Sequence, residues 1–339
     1  MTNMKWMFFL MMIISSLLSI SSSSWLNIWM GMEINVMSFI PLMLNSFNMK
    51  SSESILIYFL VQSISSMNLL FFILINNLNT TWFEFTNLLI NNNMIINLIL
   101  LMKMGAAPFY FWFPKIIKEL TWMSAFILMT WQKIIPLMLI KFYFNKFIIS
   151  FSIVLTVIIA SFLGMNQTNM KLIMAFSSIN HLGWMLSALM MSTNIWLIYF
   201  LNYSLLNYIL CLTFNTLNIK SLMNILLSNF FKNYKLMLLI NFLSLSGLPP
   251  FLGFFPKWLI IMNLILMKNY MIMLILIMTT LINLFFYLRI TISSFTLTSM
   301  QLKWNIGFFK NQMNYFLILF LSFISTIFLI LITLIMNFF

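Results

Sequence analysis

One uncharged stretch constrains the fold of this chain more than any other sequence feature. Between Lys171 and Lys220 the chain contains no Lys, Arg, Asp or Glu and a single histidine, His181. A helix that crosses a bilayer needs roughly 20 apolar residues, so this interval has room for two spans. Over the whole chain, 63% of residues are hydrophobic, 6% are charged and the mean hydropathy is +1.05, which excludes a soluble domain. The sequence predicts an all-α integral membrane protein.

Polar interruptions between the apolar runs predict about eleven transmembrane helices. Charged residues mark few of these interruptions, among them Lys50 with Glu53 and the stretch from Lys115 to Glu119. We treat residues 1–339 as a single transmembrane domain. The predicted spans lie near residues 4–22, 25–45, 54–75, 91–113, 122–140, 147–165, 172–191, 195–217, 236–262, 269–288 and 314–337.

The basic residues are unevenly distributed between the two faces of the membrane. With an odd number of spans, eleven of the 17 Lys and Arg residues fall on one face and three on the other. Such a bias follows the positive-inside rule, so the formal charge of +13 reports topology and not nucleic-acid binding. The N-terminus is therefore predicted on the cytoplasm-equivalent face and the C-terminus on the opposite face.

The pattern GxxPFxxxFPK occurs twice, at residues 105–115 and 247–257. Both copies interrupt a long apolar run with glycine and proline, which free backbone groups that hydrocarbon cannot satisfy. A helix broken in this way must face protein or a water-filled path. Paired interrupted segments in two halves of a membrane protein are typical of repeated transporter folds. The pattern predicts an ion-translocating membrane protein.

The residue inventory excludes most other chemistry. One His, one Cys and no Asp cannot supply the usual ligands of haem, iron–sulfur clusters or paired metals, and the seven glycines form no GxG motif. We therefore expect no cofactor and no metal bound by this chain. Cys211 lies within a predicted span and is interpreted as a small buried side chain.

Four ionisable residues lie at membrane depth: Glu33, Lys103, Lys133 and Lys257. A charge at the centre of a spanning helix costs about 2.5–3.5 kcal/mol, so each is a candidate for the proton pathway, with snorkelling from a span end as the alternative. Burial disfavours a charged lysine and a nearby carboxylate favours it, so a Glu33–Lys103 pair that forms and breaks would capture and release a proton.

Six further polar or charged positions are candidates for a functional or structural role. Within the repeated pattern Lys115 matches Lys257, but Lys118 and Glu119 beside it indicate an interfacial residue. His181 is either a hydrogen-bonded core residue or a relay position. Interhelical hydrogen bonds are predicted for four polar residues within or near spans: Gln132, Asn166, Gln167 and Asn180.

Several segments resemble those of a known family. They are Met102–Pro114, Thr130–Pro136, Asn166–Lys171, Phe176–Trp184, Ser246–Trp258 and Phe286–Arg289. These segments resemble the subunit 2 family of mitochondrial NADH–ubiquinone oxidoreductase (complex I), in an arthropod-like version. The resemblance covers residues from about 25 to 290.

The resemblance implies an antiporter-like subunit of the membrane arm that takes part in proton translocation. It implies two inverted five-helix repeats with broken helices, at about 1–145 and 146–292, followed by the helix at 314–337. The glutamate of the family falls on Glu33 and its lysines on Lys103, Lys133 and Lys257.

The resemblance also implies the setting of the chain. The chain would lie in the mitochondrial inner membrane, with its N-terminus in the matrix and its C-terminus in the intermembrane space. Its partners would be other complex I subunits, especially antiporter-like and small membrane subunits, together with lipids and without nucleic acid. NADH, FMN, iron–sulfur clusters and ubiquinone would be used by the complex and not bound by this chain.

Two alternatives stay open at this point. A subunit of a multisubunit cation/proton antiporter would share the glutamate and the lysines but should be longer. A non-transporting structural spacer of the membrane arm would leave the buried charges dispensable.

Overall fold

The computed structural model describes residues 3–44, 49–82, 92–222, 232–249 and 251–296, together with residues 320, 322, 323 and 326. Throughout these residues the regular structure is helical, apart from one isolated bridge between Asn169 and Ser221. Most of the predicted last span, 314–337, lies outside the described residues. The chain forms two compact units, Met1–Thr156 and Val157–Phe339.

Eight helices begin in the first unit, and the last of them continues across position 156 into the second. They are α1 (Asn3–Ser21), α2 (Trp25–Met43), α3 (Met49–Trp82), α4 (Asn92–Met104), α5 (Trp112–Glu119), α6 (Trp122–Met129), α7 (Trp131–Phe142) and α8 (Lys146–Met165). The described part of the second unit adds five more. They are α9 (Met170–Met191), α10 (Thr193–Thr216), α11 (Lys232–Ser246), α12 (Phe254–Leu266) and α13 (Tyr270–Thr296).

Seven stretches of the described residues are long and apolar enough to cross a membrane, as expected for a multi-pass membrane protein. They are Met4–Ser21, Met49–Ile75, Trp122–Phe142, Lys146–Met165, Met170–Met191, Thr193–Thr216 and Tyr270–Ile292. Shorter apolar helices occupy Met94–Met104, Met237–Ser246 and Phe254–Leu266 because the chain is interrupted beside them. The count of eleven spans and the two inverted repeats stay predictions.

The two copies of the repeated pattern end their helices in the same way. Gly105 follows α4 with φ +70°, and Gly247 follows α11 with φ +80°, a conformation that favours glycine. The N–H of Gly105 donates to the carbonyl of Met102, and the next N–H, of Ala106, donates to Leu101.

Gly247 and Leu248 repeat this arrangement by donating to the carbonyls of Ser244 and Leu243. Both ends are therefore Schellman caps, which place a left-handed glycine directly after the helix. The predicted interruption of these two helices is confirmed. In each copy a new helix begins after the interruption, at Trp112 and at Phe254.

A third interruption falls at Thr130, which the sequence analysis did not predict; the span expected near 122–140 is itself present as the apolar stretch Trp122–Phe142. Thr130 separates α6 from α7, and its hydroxyl donates to the carbonyl of Phe126. Pro136 explains the irregularity for two reasons. Its ring clashes with the carbonyl of Gln132, four positions earlier, and a proline has no backbone N–H to donate to that carbonyl. The first turn of α7 is consequently irregular, and Lys133 lies in it.

Gly253 allows the backbone around the second interruption to pack closely. A Cβ atom built at Gly253 would lie 1.7 Å from the carbonyl oxygen of Ser244, near the end of α11. By contrast, a Cβ atom at Gly164 would meet only the side chains of Phe286 and Phe176, at ordinary distances of 3.4 Å or more. Only glycine therefore permits the start of α12 to approach the end of α11.

We expect Gly253→Ala to destabilise the protein by about 3 kcal/mol, because the added methyl group overlaps backbone that cannot rotate away. Gly164→Ala is the matched control and should leave stability almost unchanged. The measurement is thermal unfolding of the purified protein in detergent. Equal melting temperatures for the two variants would show that the approach of Gly253 to Ser244 is wrong.

Candidate functional site

Lys103 lies at the last turn of α4, directly before the first interruption. Its side chain is 6% exposed, and its Nζ lies 3.5 Å from the sulfur atom of Met32 on α2. The backbone carbonyl of Lys103 accepts a hydrogen bond of 3.1 Å from Nε2 of Gln62 on α3. The indole N–H of Trp112 donates to the carbonyl of Met102 at 3.1 Å. Neutral side chains thus satisfy the carbonyl groups that the interruption frees.

Glu33 lies on α2, one residue after the methionine that contacts Lys103. Its Oε1 is buried and has no hydrogen-bond partner among the residues that the structure describes. In this arrangement Glu33 and Lys103 form no direct ion pair, and Lys103 Nζ instead contacts the sulfur of Met32. The hypothesis of a Glu33–Lys103 pair that forms and breaks stays a prediction.

Lys133 is the most buried of the candidate lysines, at 1% exposed. Its ammonium group lies 4.9 Å from the centre of the Phe113 ring, within the distance of a cation–π interaction. Phe113 belongs to the first copy of the repeated pattern and lies on α5. The interruption at Thr130 and the one after α4 therefore contribute to the same site.

A cavity of about 20 Å³ lies between Lys103 and Lys133. One water molecule needs about 10–15 Å³ and at least two polar partners. The cavity meets both conditions, since its polar lining comprises the two lysines and Asn35, Tyr58, Gln62 and Gln132. Two buried lysines thus line a single space that can hold water.

In the second unit, Lys257 lies on α12 and turns back toward the end of α11. Its side chain is 7% exposed, and its Nζ donates to the carbonyls of Ser246 at 2.7 Å and Leu245 at 3.2 Å. The ammonium also lies 5.8 Å from the centre of the Trp184 ring. A cation is favourable at this position because the C-terminal end of a helix carries partial negative charge.

The charge of Lys257 has no carboxylate partner within its own half of the chain. Residues 157–339 contain nine of the 17 basic residues and no Asp or Glu. The carbonyl groups of the interrupted helix therefore replace an acidic partner. Gly247 makes room for the Lys257 side chain, because a Cβ atom at Gly247 would lie 2.8 Å from its Cδ and 2.9 Å from its Nζ.

Aromatic side chains connect His181 with Lys257. Its Nδ1 is 2.8 Å from the hydroxyl of Tyr199, and its ring lies 5.0 Å from that of Tyr203. Tyr199 is stacked parallel to Trp184, whose ring faces the Lys257 ammonium. The hydrogen bond to Tyr199 fits both interpretations of His181, a core residue and a relay position, and both stay predictions.

The structure places the candidate residues in two groups: Glu33, Lys103 and Lys133 in the first unit, and His181 and Lys257 in the second. Lys115 is exposed, in agreement with its interfacial interpretation. The predicted interhelical hydrogen bond of Gln132 is confirmed by its bonds to Asn35. Asn180 Oδ1 is buried and accepts no hydrogen bond from the described part of the chain.

Sequence reasoning missed Gln62 and Tyr58 as parts of the site. The available signal was their polar character within an otherwise apolar span on α3. Among the described residues, no three His, Cys, Asp or Glu side chains lie close enough together to hold a metal ion.

Comparisons with known proteins agree with the predicted family. A family model described as "NADH:quinone oxidoreductase/Mrp antiporter, TM" matches residues 22–283. The chain is 46% identical over 328 residues to NADH-ubiquinone oxidoreductase chain 2 of Anopheles gambiae, covering 94% of both chains. It is 39% identical to the protein of the same name from Locusta migratoria, over 97% of this chain and 96% of that one.

Solved structures show the same fold at low sequence identity. A chain of respiratory complex I from Thermus thermophilus matches with a TM-score of 0.83 and 18% identity, over 98% of this chain and 79% of that one. A chain of the Mrp complex from Dietzia sp. matches with a TM-score of 0.75 and 14% identity, over 84% of this chain and 59% of that one. These matches establish the antiporter-like fold.

Gln62→Leu tests whether the interrupted helix depends on its neutral hydrogen-bond donor. The change removes the donor to the Lys103 carbonyl, and an unpaired buried polar group costs about 1–3 kcal/mol. Ser63→Ala is the control, since the Ser63 hydroxyl donates to the Leu60 carbonyl within its own helix. Thermal unfolding in detergent should show a lower melting temperature for Gln62→Leu alone. A stability equal to that of Ser63→Ala would contradict the assignment.

Proposed function

The chain belongs to the NADH-ubiquinone oxidoreductase chain 2 family, within the wider NADH:quinone oxidoreductase/Mrp antiporter family, and from this premise we propose its role. It is a core membrane-arm subunit of respiratory complex I. It translocates protons coupled to electron transfer from NADH to ubiquinone. The observation that carries the proposal is the position of three buried lysines, each beside an interruption of a helix.

Lysines at these positions suit proton transfer for a physical reason. Burial penalises the ammonium form, while carbonyl groups, carboxylates and water stabilise it, so small movements change whether a proton is held. The interruptions supply such groups at membrane depth, where an intact helix would offer none. Lys103 and Lys133 share a cavity with room for water, and Lys257 contacts two carbonyl groups.

The glutamate and the histidine have defined places in this proposal. We assign to Glu33 the negative charge that favours protonated Lys103 in the first unit. In the second unit His181 is the candidate relay. It is hydrogen-bonded to Tyr199, which is stacked on Trp184, and the ring of Trp184 faces Lys257. Glu33, Lys103 and Lys133 thus serve one segment of the pathway, and His181 and Lys257 serve another.

The rest of the reaction belongs to other subunits. The chain is part of an enzyme, proton-translocating NADH:ubiquinone reductase, but it lacks the residues for a complete redox site. We assign NADH, FMN, the iron–sulfur clusters and ubiquinone to the rest of the complex. Its partners are neighbouring antiporter-like and small membrane subunits and lipids of the mitochondrial inner membrane.

The alternatives are less well supported. The relatives of the chain-2 family match nearly its full length, whereas this chain covers only 59% of the Mrp subunit that it resembles. That difference argues against a cation/proton antiporter subunit. A structural spacer would have no use for three buried lysines, each of which costs about 2.5–3.5 kcal/mol to insert.

Lys257→Met tests the proposed function directly. We expect the rate of NADH-driven proton pumping by the assembled complex to fall about ten-fold, equivalent to about 1.4 kcal/mol added to the barrier. Lys257→Arg should also fail, because a guanidinium group does not release its proton. The control is Lys268→Met, which alters an exposed lysine on the loop after α12.

Rates in this experiment are normalised to the amount of assembled complex, because methionine leaves the Leu245 and Ser246 carbonyls without the Lys257 donor. Normal pumping by Lys257→Met would refute the carrier role and favour the structural spacer.

The distribution of basic residues gives a further prediction about topology. We expect a peptide tag attached after Phe339 to be labelled from the intermembrane space by a reagent that cannot cross the inner membrane. The lysine-rich face would then lie in the matrix, as the positive-inside rule requires. Labelling only after the matrix is opened would contradict this orientation.

A further inference from the structure

Asn35 and Gln132 form a reciprocal pair of side-chain amides between α2 and α7. Nδ2 of Asn35 donates to Oε1 of Gln132 at 3.0 Å, and Nε2 of Gln132 donates to Oδ1 of Asn35 at 3.3 Å. Asn35 is 4% exposed and Gln132 is partly buried. Two hydrogen bonds in opposite directions fix both the distance and the relative orientation of the two residues.

Gln132 also contacts two other helices. Its Oε1 accepts a hydrogen bond of 3.4 Å from the hydroxyl of Tyr58 on α3, and its Nε2 lies 3.5 Å from the sulfur of Met12 on α1. Both protons of Nε2 and both lone pairs of Oε1 are therefore engaged. An amide does not titrate near neutral pH, so this cluster keeps its hydrogen-bonding pattern while nearby groups change charge.

The pair connects α2, which carries Glu33, with α7, which carries Lys133. Gln132 directly precedes Lys133 in the irregular first turn of α7, and Asn35 follows Glu33 by two residues on α2. Both amides line the cavity that Lys103 and Lys133 share. A turn interrupted at Thr130 lacks part of its own hydrogen-bond ladder, so contacts to other helices must determine its position.

We propose that the Asn35–Gln132 pair positions Lys133 relative to Glu33 for proton transfer. The two residues carry no proton themselves; they hold the turn of α7 that carries Lys133 against the turn of α2 that carries Glu33. The proposal rests on the proton-translocating function proposed above and adds two positioning residues to it. It explains why two polar amides lie between apolar helices beside the cavity.

A double-mutant cycle in the assembled complex tests this role. Asn35→Leu and Gln132→Met keep side-chain size and remove the hydrogen bonds. Each should lower the NADH-driven pumping rate about five-fold, the factor by which one net hydrogen bond shifts a two-state population. The double variant should lose no more than either single variant, because the same pair is broken in all three.

Rescue by exchange separates positioning from simple stability. The double variant Asn35→Gln with Gln132→Asn keeps one long and one short amide across the same interface, so pumping should return to within about two-fold of the original rate. The control is Asn97→Leu, which removes a buried amide bonded to the Tyr143 carbonyl away from the cavity. It should lower thermal stability while leaving pumping per assembled complex unchanged.

The outcomes distinguish this proposal from the proposed function. Normal pumping by both single variants, or failure of the exchanged pair to restore it, would overturn the positioning role. If Lys133→Met still abolished pumping in that case, proton translocation through the first unit would stand without the amide pair. If Lys133→Met and Lys257→Met both pumped normally, the proposed function itself would be wrong.

Discussion

The backbone carbonyl groups freed at the helix interruptions are the constraint on which the rest of this structure depends. In a bilayer each such group needs a donor, because no bulk water is available to replace the lost helical bond. The Schellman caps at Gly105 and Gly247 satisfy some of these groups within the chain. Side chains must satisfy the others, and the two units use different side chains for this purpose.

The first unit uses neutral donors, and the second uses a lysine. Gln62 and Trp112 cap the end of α4, which leaves the Lys103 side chain available to the cavity. At the end of α11 the Lys257 ammonium is itself the donor. The difference matches the distribution of acidic residues, since all four lie in the first 156 residues. Lys257, which has no carboxylate in its own unit, is stabilised by the carbonyl groups at the end of α11.

The sequence predicted the features that depend on local chemistry. Glycine and proline indicated the interruptions after α4 and α11, and the scarcity of charge singled out Glu33, Lys103, Lys133 and Lys257. It did not predict that Lys257 would turn back to its own interruption, because that contact joins residues on two separate helices. The interruption at Thr130 was missed as well, although Pro136 was a local signal for irregularity in that turn.

An electron cryo-microscopy map of the assembled complex that resolves ordered water would test most directly the central claim, that helix interruptions hold the buried lysines in polar surroundings. The account predicts density for the Lys257 ammonium at hydrogen-bond distance from the Leu245 and Ser246 carbonyls, and a water molecule between Lys103 and Lys133. A Lys257 side chain directed away from both carbonyls, together with a dry space between the other two lysines, would contradict it.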